Sequence, residues 1–162
     1  YKQSQTAYYA ADDAVLCAVA IDDTYLAADG LGIFPSSTTT DPLTYIDDVL
    51  TYVNERKVLD GLPAITLNEI ECAQSAIFDT TVSGFSVSPT NYLYVSETNG
   101  TEEGKTSSYN MRMDLGGGAA RCARVTINKT QSFRQIIAQG YAQCDNPIGG
   151  VERAVVNTTI VE

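Results

Sequence analysis

"YYAADDAVLCAVAIDD", residues 8–23, reads as a helix with more than one apolar side. From Tyr8 to Leu26, apolar residues fall at Tyr8, Ala11, Val15, Ala18, Val19 and Leu26, the spacing of a helical stripe. Ala14, Ile21 and Tyr25 widen that stripe, Leu16 sits apart from it, and Asp12, Asp13 and Asp23 mark the wet side. At about 100° per residue the apolar arc exceeds half the circumference, so this helix needs two apolar partners. The chain opens at Tyr1 without a methionine, and a preceding segment is expected.

Outward from that stretch, "ADGLGIFPSSTTT" (28–40) stops the helix, because Gly30, Gly32 and Pro35 cannot continue it. Asp41-Pro42 then supplies an N-cap and first helical residue for a second helix over about residues 42–59. Leu43, Ile46, Val49, Leu50 and Val53 form its apolar face, Arg56 and Lys57 suit its C-terminal dipole, and "DGLP" (60–63) closes it. From Ile65 onward the pattern is β. "ITLNEIE", "SAIFDTTV", "FSVS" and "YLYVS" are short β-rich runs, with "TNGTEEGKTSS" (98–108) as a break. "YNMRMDL" and "CARVTIN" alternate, with Val125 and Ile127 on one face and Arg124 and Thr126 on the other; "SFRQIIAQGY" and "VERAVVNTTIV" complete the sheet. A hairpin turning near 128–130 would set Cys122 opposite about residue 138. The expected fold class is α+β, a single domain of 1–162: helix to residue 28, a loop with the second helix over 29–64, and an antiparallel sheet over 65–162.

The 162 residues are 44% hydrophobic and 19% charged, suited to a globular domain with a real core. Net charge is −10, which opposes nucleic acid as a partner. The charge is uneven: residues 1–111 carry 16 acids and 4 bases, whereas 112–153 carry 6 bases and 3 acids. With no histidine, Ser-His-Asp and Cys-His catalysis and histidine-based zinc sites are excluded. Nothing sets two carboxylates apart as a catalytic pair, and Asp12-Asp13, Asp22-Asp23 and Asp47-Asp48 lack calcium-loop spacing and read as solvated helix faces. No catalytic residue, cofactor or metal is expected. The four cysteines, Cys17, Cys72, Cys122 and Cys144, contain no CxxC pair and suit two disulfides in an oxidising compartment.

"YYAADDAVLCA" near the start, with "CARVTINK", "IIAQGYAQC" and "VERAVV" near the end, resembles bacterial type IV pilin-like proteins. The resemblance covers residues 1–27 and the C-terminal strands. It implies a long N-terminal helix whose second half packs on an antiparallel sheet, and whose absent first half anchors the precursor in the inner membrane. It further implies a structural subunit of an extracellular filament, acting in surface or cell attachment and in twitching. Its partners would be copies of itself, other pilins, the pilus assembly machinery and a host or cell surface. A type II secretion pseudopilin and a monomeric secreted binding domain are the alternatives. The family pattern suggests the pairs Cys17–Cys72 and Cys122–Cys144, worth about 3–4 kcal/mol each, with the other two connectivities open. Candidate subunit contacts are Tyr8, Ala11 and Val15 on the helix and Arg121, Arg124, Arg134 and Arg153 on the basic strands, to which Arg112 and Lys129 belong.

Overall fold

The computed structural model describes residues 2–36, 42–72, 75–78, 85–86, 91–96, 100–114, 120–130, 132–141 and 152–159. Helix α1 spans Lys2–Thr24 and α2 spans Pro42–Leu59. A short two-stranded sheet, β1 (Glu71–Cys72) and β2 (Ser75–Ala76), precedes a six-stranded antiparallel one. The latter comprises β3 (Phe85–Ser86), β4 (Asn91–Ser96), β5 (Gly100–Asp114), β6 (Ala120–Lys129), β7 (Phe133–Tyr141) and β8 (Glu152–Thr159). Strands β5 to β8 form a meander, and β3 and β4 both pair with β5. The fold is α+β, an N-terminal helix on an antiparallel sheet with a second helix between them.

Helix α1 lies across β6, β7 and β8. Strict alternation on β6 and β7 makes the contact face: Ala123, Val125 and Ile127 stand opposite Gly140, Ala138 and Ile136, and all six are buried. The helix meets them with Ala7, Ala10, Ala11, Ala14, Val15 and Ala18, mostly small residues that allow close approach. Closest is Gly140, where a Cβ would lie 2.8 Å from the Ala11 nitrogen and nearer still to the Ala7 carbonyl oxygen. Only glycine fits there.

The second core layer comes from α2 and the loop before it. Ile46 and Val49 join Ile33, Phe34, Ile70, Ile77 and Phe78, with the Phe34 and Phe78 rings stacked at 5.8 Å. Helix α2 ends as "DGLP" implies. Gly61 takes φ 74°, the Leu62 N–H donates to the Lys57 carbonyl and the Gly61 N–H to that of Val58. Asn54 then clamps the returning chain, donating to the Ile65 carbonyl and accepting from its N–H, each at 2.8 Å.

Three expectations need correction. "ITLNEIE" is not a strand until Glu71, because Leu67–Glu69 forms a 3₁₀ turn. Its start is fixed by the Glu69 carboxylate accepting from the Thr66 N–H at 2.6 Å. "TNGTEEGKTSS" is no break from Gly100 onward: 100–108 is the first half of β5, paired along one edge with β4 and from Lys105 along the other with β6. Pairing with β4 along that one edge is enough to override the low strand propensity of Gly100 and Gly104. Finally, Cys122 stands opposite Tyr141, not residue 138. The turn falls later because the Thr130 hydroxyl accepts from the Ser132 and Phe133 N–H groups, closing it beyond Lys129.

The expected Cys17–Cys72 disulfide joins α1 to β1, with Cα atoms 6.0 Å apart. Cys122 is disulfide-bonded as well; Cys144, the partner expected for it, lies outside the described residues. Replacing Cys17 and Cys72 by serine is expected to lower stability by about 3–4 kcal/mol, since the bond closes a 55-residue separation. Hydrogen exchange should rise in α1 more than Cys122→Ser raises it in β6 and β7. Equal loss of protection in both variants would contradict that ordering.

Candidate functional site

The sheet-facing side of α1 leaves a second side free. Tyr8, Tyr9 and Leu16 are 51%, 55% and 59% exposed, large apolar side chains on a helix otherwise seated in the core. Residues 9, 13, 16 and 20 fall on one line at helical spacing, all of them exposed, so Tyr9, Leu16 and Ala20 make a strip interrupted by Asp13. Tyr8 meets Tyr9 edge to face at 6.0 Å and widens the strip at one end. The helix therefore has two apolar sides, one filled by its own sheet.

What holds the helix in that orientation is a buried ion cluster at its last turn. Asp22 is 2% exposed and Lys129 0%. The Lys129 ammonium donates to both Asp22 carboxylate oxygens at 2.9 Å. Arg134, across the β6–β7 register from Lys129, donates from Nη1 to Asp22 Oδ2 at 2.9 Å and to Asp23 Oδ1 at 2.8 Å. The Phe34 N–H donates to Asp22 Oδ1 at 3.1 Å, tying the loop after α1 to the same carboxylate. One side chain thus joins helix, loop and hairpin turn.

The loop is shaped to reach it. Gly30 takes φ 84°, Asp29 accepts from the Leu31 N–H, and Leu26 bridges Gly32. A Cβ on Gly32 would strike the Asp22 carboxylate and carbonyl, so the backbone lies directly on the cluster. The Tyr45 hydroxyl donates to the Gly32 carbonyl at 2.8 Å. Burial, then Asp29 and Asp22, push that phenol far above its usual pKa, so it stays a donor. Burial pulls Lys129 below its usual value despite Asp22 beside it. Burial acts the same way on Arg134, but its hydrogen bonds to Asp23 and Asp22 outweigh it and raise its pKa.

The seven residues expected at a subunit contact divide sharply. Tyr8 is on the exposed strip and Arg124 is exposed on β6, on the sheet face turned from α1. Ala11 and Val15 lie under the helix against the sheet and offer no outer surface. Arg134, and with it Lys129, is committed to Asp22, which corrects the expectation that these bases face a neighbour. Backbones place Arg121 opposite Met113 and Arg153 opposite Gln139; their side chains, and that of Arg112, lie outside the described residues. Asp22-Asp23 is not a solvated pair, since Asp22 is the centre of the cluster. Asp12 is half-buried, while Asp13, Asp47 and Asp48 are exposed. Among the described residues no three metal-ligating side chains converge.

The chain matches no family model, no curated protein and no solved structure. Its own geometry therefore carries the functional argument. Among the described residues no helix is long and apolar enough to cross a membrane.

Proposed function

We propose that this chain is the globular part of a pilin-like subunit that polymerises into an extracellular filament used for attachment to surfaces or cells. The observation that carries the reading is the second side of α1: Tyr8, Tyr9 and Leu16 are exposed on a helix whose other side is rigidly seated. A neighbouring helix would bury that strip, and packing of apolar helices would supply most of the affinity. The Cys17–Cys72 bond suits an exported protein, because disulfides persist in oxidising compartments. Its work is self-association with other copies and with related subunits, aided by an assembly machinery and an anchoring segment in the membrane, without catalytic chemistry.

The test is to shear surface filaments from cells that make the protein and look for the chain in them. Wild-type protein is expected in the sheared fraction. Leu16→Asp should reduce filament number at least about tenfold at temperatures where the domain stays folded, at a cost to its own stability of about 1 kcal/mol from lower helix propensity and the Asp12 and Asp13 carboxylates one turn away. Absence of the wild-type chain from the filaments, or normal assembly by Leu16→Asp, would refute the proposal.

A further inference from the structure

Beside the last turn of α1, a groove of about 360 Å³ opens between that helix end and the second half of α2. Tyr25, Leu26 and Tyr52 line it together with Arg56, Lys57 and Asp60. Both tyrosines are half-buried, and Tyr25 packs against the core. Among the described residues neither tyrosine hydroxyl has a hydrogen-bond partner and neither Arg56 nor Lys57 has an ion-pair partner. These groups are available.

The cations stand out in this molecule. Net charge is −10, Lys129 and Arg134 are buried, and of the bases with described side chains only Arg56, Lys57 and Arg124 reach the surface. Two of those three are neighbours on the rim of one groove that also holds two aromatic rings and a carboxylate.

We propose that this groove binds a saccharide bearing a carboxylate, a uronic-acid unit at the end or along the length of an acidic polysaccharide. The C–H faces of a sugar ring pack on tyrosine. The guanidinium and ammonium pair with the sugar carboxylate, and Asp60 accepts hydrogen bonds from its hydroxyls. Asp60 favours a singly charged uronic acid over a phosphate dianion, whose second charge would meet that carboxylate at the site. The groove is open, and its volume of about 360 Å³ is enough to seat a sugar ring against its wall. Such a site names what an attachment filament would hold, but it belongs to the isolated subunit and stands or falls without assembly.

The full 162-residue chain is titrated with digalacturonic acid and with its uncharged dimethyl ester, followed by calorimetry and by tyrosine ring signals in NMR. The acid is expected to bind and to shift Tyr25 and Tyr52, and the ester to bind at least about tenfold more weakly, the loss of one charge-assisted contact. The Arg56→Gln/Lys57→Gln double variant should lose at least that much for the acid while its melting temperature falls by only a few degrees, the loss of two charges at the C-terminal dipole of α2. Tyr52→Leu should weaken acid and ester alike. No binding of the acid, equal binding of the ester, retention by the double variant, or equally tight binding of inorganic phosphate would each overturn the assignment. Filament assembly by Arg56→Gln/Lys57→Gln separates the two readings: normal filaments with lost saccharide binding are expected, and loss of assembly would show these residues serve subunit packing instead.

Discussion

Asp22→Asn should destabilise the domain by about 3–5 kcal/mol, roughly 10 °C in melting temperature for a chain of this size. The substitution is nearly isosteric, and its amide oxygen can still accept from the Phe34 N–H. What it removes is the charge facing Lys129 and Arg134, both of which remain buried. An uncompensated buried cation costs several kcal/mol, whereas the paired cluster roughly balances its own desolvation. Two further results separate this account from a general packing defect. Lys129→Met and Arg134→Leu added to Asp22→Asn should recover more than half of the loss, because no buried charge is then left. The deficit of Asp22→Asn should also shrink as pH rises. Burial already lowers the Lys129 pKa, and loss of Asp22 lowers it further, so below the ordinary lysine range the unfolded chain binds the extra proton. Stability relative to wild type therefore rises with pH until Lys129 of the folded wild type, itself held below the usual lysine range, also becomes neutral, and is level above that. A deficit independent of pH, or a triple variant no better than the single one, would contradict the mechanism.

That cluster shows where the sequence was legible and where it was not. Asp22 stands in phase with Ala11, Val15 and Ala18, and Lys129 and Arg134 stand in phase with the inward Val125, Ile127, Ile136 and Ala138. Periodicity alone places all three charges on the core faces. Asp22 nevertheless reads as solvated and Lys129 and Arg134 as outward bases available to a neighbouring subunit, because charge usually overrides phase and no local pattern says that residues more than 100 positions apart will neutralise one another. The helices were legible for the opposite reason: the Pro42 start and the Gly61 stop act within a few residues. Strand β5 was not, since its Gly- and Thr-rich first half is held in the sheet by β4, and only from Lys105 by β6 as well. The exposed strip was half legible. The apolar arc was too wide for one partner, but assigning Ala11 and Val15 to the inner side required knowing how closely Gly140 admits the helix.

Closeness at Gly140 leads to the second large effect: Gly140→Val should cost more than about 4 kcal/mol, and Gly140→Ala about 3 kcal/mol, at the upper end for overpacking. A Cβ there runs into the Ala7 carbonyl and the Ala11 nitrogen, which are backbone atoms and cannot rotate away. The strand cannot recede either, because Gly140 is paired with Ala123 on one side and Glu152 on the other. The helix must move. Its far half is held by the Cys17–Cys72 bond and by Asp22, so it should pivot and lift at its N-terminal end. Hydrogen exchange is then expected to accelerate over residues 5–14 and to change little over residues 18–24. Ala7→Gly should not rescue Gly140→Ala, since removing the Ala7 methyl leaves its carbonyl in place. The pivot also carries Tyr8, Tyr9 and Leu16 out of line, so filaments should be fewer in Gly140→Ala at temperatures where the domain is still folded. Uniform loss of protection along the whole helix, or rescue by Ala7→Gly, would show that the helix is not hinged where its two tethers place it.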